Sequence, residues 1–244
     1  MFDDITAFRA FYHSPLGRRV ASAVKQHSQP FWQGISGLNC GFCGYGPPFV
    51  DNDLRLVGLM PARRGAVVWP TGRPGRTCLV DTNGLPFPDV FFDRLLLVHA
   101  LEFEADPGRL LDECWRCLDG SGRLLVAVPN RRGLWARAER TPFGHGQPYS
   151  RRQLHRLLES HGFIPRFTAR AVFIPPFANR LVLRFAPTLE RVGAVWWSAM
   201  GGVILVEAEK MLYAPSGSRR TQLQRIRARP VLAGQTSGHI SPNG

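Results

Sequence analysis

The stretch Phe92-Asp-Arg-Leu-Leu-Leu-Val-His99 constrains the fold most, because Leu95 to Val98 offers apolar side chains without alternation. Successive side chains of a strand point to opposite faces, so a strand with one wet face alternates apolar and polar residues. An unbroken apolar run needs cover on both faces, which is the condition of a parallel sheet carrying helices above and below. A second run, Arg123-Leu-Leu-Val-Ala-Val128, follows after one helical segment. Strand, helix and parallel strand in that order form the repeating unit of an α/β domain.

Local signals place the remaining elements. Apolar Ile5, Phe8, Phe11, Tyr12 and Leu16 form one helical stripe over 4–28, interrupted by Ser14-Pro15 and resumed by Val20, Ala23 and Val24. Strands are expected at Ile35–Cys43, Leu54–Met60, Thr77–Val80, Phe92–His99, Arg123–Val128, Phe163–Phe173 and Gly202–Leu212, with a short extended piece at 67–70. Asp106 is a suitable cap and Pro107 a suitable first residue for a helix over Gly108–Leu118, which Asp119-Gly-Ser-Gly122 ends. Ser150 with Gln153 is a capping box, and Gly162 closes that helix. A last helix is expected over 188–200, after Pro187. The expected organisation is a helical cap over 1–34, a doubly wound, mostly parallel seven-stranded sheet over 35–214, and a basic flexible tail over 215–244.

The chain has 244 residues and a net charge of +13, and its basic residues are all arginine except Lys25 and Lys210. Such a skew fits an arginine-rich enzyme better than a surface tuned to nucleic acid, which is not favoured as a partner. The start, Met-Phe-Asp-Asp-Ile, has acids where an export signal has bases. The uncharged stretch Val192–Val206 falls short of the roughly 18 apolar residues that span a bilayer, and Gly201-Gly202 interrupts it. A cytoplasmic protein without a membrane partner is expected, with its five cysteines reduced. The pairs Cys40-x-x-Cys43 and Cys114-x-x-Cys117 lie too far apart for a compact zinc knuckle, and Cys114 shares a stripe with Leu110, Leu111 and Leu118, so no metal is expected.

The segment Asp81-Thr-Asn-Gly-Leu-Pro-Phe, the strand ending at His99, the helix from Pro107 and Gly122-Arg-Leu-Leu-Val-Ala-Val-Pro-Asn130 together resemble class I S-adenosylmethionine (SAM) dependent methyltransferases, in particular type 11 methyltransferase domains. The resemblance implies a Rossmann-like fold, SAM as cofactor and methyl transfer as activity. It implies that Gly44-Tyr45-Gly46 is the glycine-rich turn approaching the cofactor, with Phe42 in place of the family's acid and Pro48 in place of its third glycine. It also implies that Asp81 accepts from the adenine amino group, that the Thr82 backbone N–H meets a ring nitrogen, and that His99 lies beneath the methionine part. The family's ribose-binding acid falls at Leu59, Met60 or Pro61, and no acid occurs from Leu54 through Arg76. A hydrogen bond to a charged acceptor is worth about 1.5–3 kcal/mol, so its loss costs roughly 10- to 100-fold in affinity.

After the fifth strand, Pro129-Asn-Arg-Arg-Gly-Leu-Trp135 and Thr141-Pro-Phe-Gly-His-Gly-Gln-Pro-Tyr-Ser150 form a long loop at the edge where ligands of open α/β sheets bind. His145 and Tyr149 are the candidate bases, and Asn130, Arg131 and Arg132 the candidate contacts to a small-molecule or anionic acceptor. Two alternatives stand beside methyl transfer: an inactive methyltransferase-like binding or scaffold module, and an RNA-associated protein using its basic tail and Arg131-Arg132.

Overall fold

A computed structural model describes residues 2, 4–52, 54–177 and 180–212, so the expected tail from 215 lies outside the described residues. Seven strands form one sheet: β1 (Cys40–Gly44), β2 (Leu56–Pro61), β3 (Thr77–Val80), β4 (Phe92–Val98), β5 (Leu118–Pro129), β6 (Phe163–Ala171) and β7 (Val203–Lys210). Their order is β3-β2-β1-β4-β5-β7-β6. All neighbouring pairs are parallel except those of β7, which runs against both β5 and β6.

The apolar run of β4 has the cover its composition demands. Leu95 and Leu97 join Leu124 and Val126 of β5 on one face, under α3 (Pro107–Cys117) and α4 (Arg151–Ser160). Leu96 and Val98 join Leu125 and Ala127 on the other, under α1 (Ile5–His13), α2 (Pro15–Ser28) and α5 (Arg180–Trp196). The caps are those expected. Asp106 accepts from the N–H groups of Gly108 and Arg109, and both hydrogen bonds of the Ser150–Gln153 box form. Ser14 ends α1 and caps α2 by accepting from Gly17 N.

Several boundaries differ from expectation. β1 begins at Cys40 rather than Ile35, because Leu38 N bonds back to Ile35 O and Gly37 takes a left-handed φ of +82°, turning the chain before the strand. Residues 67–70 form no strand; Val67 is held instead by Met60 Sδ and Thr77 Oγ1. β5 begins at Leu118, since Asp119 accepts from Ser121 N and Oγ and folds the glycine pair into a bulged strand start. α5 starts before Pro187 and contains it. Proline removes one helical donor and so signals a boundary, but here it only interrupts the helix. The helix is secured beyond it by Gly193, which approaches Phe173 too closely for any side chain.

The crossover from β1 to β2 is short. It holds one 3₁₀ turn, Pro47–Phe49, in place of a helix. The core face beside it is filled by the N-terminal segment, whose Phe8, Tyr12, Leu16 and Val20 pack with Phe42, Tyr45, Phe49 and Met60.

Candidate functional site

From β1 the chain steps to β2 and β3 on one side and to β4 and β5 on the other. The reversal opens a crevice beyond the carboxyl ends of β1 and β4, the usual ligand position in such sheets. Gly44 takes a φ of +96° there, and a Cβ on it would overlap the carbonyl oxygen of Val98. Tyr45 N donates to that same oxygen at 3.0 Å. A Cβ on Gly46 would run into the Phe42 ring. The bare sides of both glycines therefore face protein. The turn is closed onto the end of β4 and onto the core.

Helix α1 fills the hollow above this turn. Tyr12 stacks on Tyr45 with ring centroids 5.8 Å apart and meets Phe49 edge-on at 5.2 Å. Phe8 and Phe143 each lie 5.0 Å from the His99 ring. Tyr12 Oη and His99 Nε2 are 2.6 Å apart, and His99 Nδ1 is 3.1 Å from Glu102 Oε1. Tyr12, His99 and Glu102 are all buried, and His99 adopts a left-handed φ of +52°. A non-glycine residue in that region costs of order 1–3 kcal/mol and persists only where its surroundings hold it, here by a bond at each ring nitrogen. Burial, and then the charge of Glu102, pushes the Tyr12 hydroxyl well above the ordinary tyrosine range. Burial pushes Tyr45 up to about 12. Both hydroxyls stay protonated.

The open space lies to one side, over the carboxyl ends of β2 and β3. This cleft encloses about 410 Å³ and is lined by Pro61, Arg63, Arg64, Asp81, Thr82 and Phe103, among others. That volume is within the range typical of small-molecule sites, roughly 300–1,000 Å³. Asp81 Oδ1 accepts from the backbone and side-chain nitrogens of Asn83 at 2.9 and 3.1 Å. The first of those bonds lowers the carboxyl's pKa most, and nearby Arg63 lowers it further. Asp81 is thus an exposed, ionised acceptor at the cleft wall. Thr82 is buried beside it. Met60 sits beneath the floor with its sulfur accepting from Val67 N, so the end of β2 presents arginines, not an acid. The Arg64 guanidinium lies 3.6 Å from the Phe103 ring centroid.

The loop after β5 covers the same edge. Gln147 N donates to Glu102 O at 2.6 Å, and Gly146 packs on Glu102 and Phe103. His145 Nε2 is 2.6 Å from Glu139 O; the carbonyl can only accept, which puts the ring proton on Nε2 and leaves Nδ1 as the acceptor in the neutral ring. Tyr149 is buried, and burial followed by the Glu102 charge raises its hydroxyl to about 12. Asn130 is a brace: it donates to Ala199 O and Gly201 O and accepts from Arg132 N. Arg131 and Arg132 are exposed.

Of the residues singled out in the sequence, Asp81 and Thr82 line the cleft, and Gly44, Tyr45, Gly46 and His99 meet under α1. His145 and Tyr149 belong to the covering loop. Tyr12, Glu102, Arg63 and Arg64 were not anticipated. Glu102, one turn after His99 at a strand end, carried a local signal; Tyr12 did not, because its partner is 87 residues away. The four thiols of the two Cys-x-x-Cys pairs are buried, and burial raises Cys43 to about 12. Among the described residues no three His, Cys, Asp or Glu side chains are grouped to hold a metal ion.

Residues 66–126 match the family model of the methyltransferase domain. A protein of Mycobacterium tuberculosis named a probable S-adenosylmethionine-dependent methyltransferase is 33% identical over 90 residues, which cover 36% of this chain and 33% of that protein. The chain therefore matches about a third of the length of this curated relative. A SAM-dependent methyltransferase of Thermotoga maritima, described as a possible histamine N-methyltransferase, superposes with a TM-score of 0.59 at 17% identity over 84% of this chain and 96% of the other. The 1,6-didemethyltoxoflavin-N1-methyltransferase of Burkholderia thailandensis, solved with its substrate and S-adenosylhomocysteine, superposes with a TM-score of 0.50 at 16% identity over 84% and 86%. The fold is that of SAM-dependent methyltransferases, and residues 66–126 carry that family's sequence pattern.

Proposed function

We propose that this methyltransferase-fold chain binds S-adenosylmethionine and passes its methyl group to a small-molecule or anionic acceptor. The observation that carries the reading is the cleft at Asp81 and Thr82, at the strand ends where the fold holds its ligand. The cleft suits a nucleoside: an ionised carboxylate with one oxygen unused by Asn83, a neighbouring backbone, and a wall of Phe103. Bound there, the cofactor supplies a methyl carbon made electrophilic by a sulfonium.

The chain's own part is alignment and exclusion of water, which in-line displacement needs more than covalent help. Arg63 and Arg64 replace the missing ribose acid with donors, so the sugar is held less firmly than an acid would hold it. The amino-acid part of the cofactor belongs in the hollow now filled by Tyr12, Tyr45 and Phe8, so full binding requires α1 to move aside. Glu102 then offers a buried oxygen, Oε2, that has no hydrogen-bond partner among the described protein atoms and suits an ammonium group. Tyr149, with its hydroxyl held protonated, is a donor and not a base. His145 Nδ1 is the better proton acceptor, and the exposed Arg131 and Arg132 are assigned the contact to an anionic acceptor.

The filled hollow also favours a second reading, an inactive binding module with a methyltransferase fold. Calorimetric titration with S-adenosylhomocysteine separates the two. Saturable heat at millimolar ligand or below, reduced in Asp81→Ala, supports a cofactor site; no heat at millimolar ligand supports the module. The RNA-associated reading rests on the tail, outside the described residues, and on the exposed pair Arg131-Arg132.

A further inference from the structure

We propose that α5 and the turn after it form a docking surface for an anionic lipid bilayer, lying in the interface rather than crossing it. Thirteen large hydrophobic side chains are exposed among the described residues, and seven of them fall between 177 and 200: Phe177, Phe185, Val192, Val195, Trp196, Trp197 and Met200. Phe185, Val192 and Trp196 follow each other at seven and four residues, so they share one stripe of the helix. Trp196 is 77% exposed, Val195 76% and Trp197 57%. Large rings of this kind in water are out of place in a side chain set chosen for solubility. They suit the level of lipid headgroups, where an indole buries its ring and leaves its N–H wet.

Charge selects the occupant. Arg184 and Arg191 are exposed on the same helix, seven residues apart along one border of the apolar stripe. The one acid of α5, Glu190, is turned inward and accepts from Val172 N and Phe173 N. The chain as a whole carries +13, and its last thirty residues add five arginines and no acid. An apolar stripe whose exposed charged neighbours, among the described residues of the helix, are both cations, with a buried edge at Ala186 and Gly193, is the pattern of an interfacial helix on anionic lipid. No described helix is long and apolar enough to cross a membrane, and interfacial docking needs none. This interfacial proposal departs from the expectation of a protein without a membrane partner.

The surface adjoins the acceptor side. Asn130, at the carboxyl end of β5, holds Ala199 and Gly201, and Gly133 packs on Gly201 and Gly202, so exposed Leu134 and the two arginines before it border the same turn. A chain docked through Trp196 and Trp197 presents its acceptor loop to the lipid surface.

The full chain is mixed with vesicles of phosphatidylglycerol and, separately, phosphatidylcholine, and followed by co-sedimentation and tryptophan emission. Trp32, Trp69 and Trp135 are buried and Trp115 is half-buried under Lys210 with its indole N–H bonded to Gly162 O, so a blue shift that the Trp196→Ala/Trp197→Ala variant loses reports on Trp196 and Trp197. Expected are binding to phosphatidylglycerol with a blue shift, and at least about tenfold weaker partitioning for Trp196→Ala/Trp197→Ala and for Arg184→Glu/Arg191→Glu, with unchanged circular dichroism. The proposal is overturned by no vesicle binding, by binding that the tryptophan pair does not affect, or by a dimer that the tryptophan variant dissociates without vesicle binding, which would make the surface a contact between two copies. None of these outcomes depends on cofactor binding.

Discussion

Replacing Tyr12 by Phe should strengthen cofactor binding while weakening the fold. The substitution keeps the ring that stacks on Tyr45 and Phe49 and deletes only the hydroxyl, 2.6 Å from His99 Nε2. Both partners are buried, so the imidazole nitrogen is left without a partner at a cost of about 1–3 kcal/mol to the closed position of α1. When a ligand binds only the open form, apparent affinity is the intrinsic affinity scaled by the open fraction. A closed state weakened by about 1.4 kcal/mol therefore raises apparent affinity for S-adenosylhomocysteine roughly tenfold. The same change lowers the midpoint of thermal unfolding by about 2–4 °C per kcal/mol in a protein of this size. Calorimetry and melting curves on the two proteins give both numbers. A lower melting point with unchanged or weaker binding refutes the reasoning, since Tyr12 would then be only a core residue or a ligand contact.

Other perturbations have separate signs. Asp81→Ala should weaken S-adenosylhomocysteine binding several-fold with little change in melting, because the exposed carboxylate bonds, among the described residues, to Asn83 two residues away; unchanged affinity in calorimetry removes Asp81 from the site. Ser150→Ala breaks a formed capping box and should cost about 0.5–2 kcal/mol in denaturant unfolding, without altering ligand affinity. Glu113 is held below the ordinary carboxylate pKa, first by its hydrogen bond from Arg116, while Leu85 N also donates to it. A depressed folded pKa means the unfolded chain binds more protons in that window. The contribution is complete above the usual carboxylate range and is lost as pH falls through the folded value. Arg116→Ala, which also removes one donor each from Leu85 O and Phe87 O, should therefore destabilise at pH 7 and lose part of the acid sensitivity; an unchanged melting-versus-pH curve contradicts this.

Much of the fold was legible because its signals are local. The unbroken β4 run announced cover on both faces, and the Asp106 and Ser150 caps fixed two helix starts within a residue. Pro187 carries a boundary signal in the sequence, yet the helix runs through it and packs closely on Phe173 at Gly193 beyond it. The short crossover from β1 to β2 could have been read from the few residues separating Gly44 from Leu56. The filling of the crevice could not. It depends on Tyr12 meeting His99, 87 residues further along the chain, and an amphipathic stripe does not say which surface it covers. Likewise the absence of an acid at the end of β2 was plain in the sequence, whereas the arrival of Arg63 and Arg64 at the same cleft required the turn after Pro61.

Hydrogen exchange with and without S-adenosylhomocysteine tests the central claim most directly, that a nucleoside occupies the cleft as α1 leaves the crevice. The account predicts slower exchange over 61–64 and 80–84 together with faster exchange over 5–13. Unchanged exchange at 61–64 and 80–84 with saturating ligand, or added protection of α1, would contradict it.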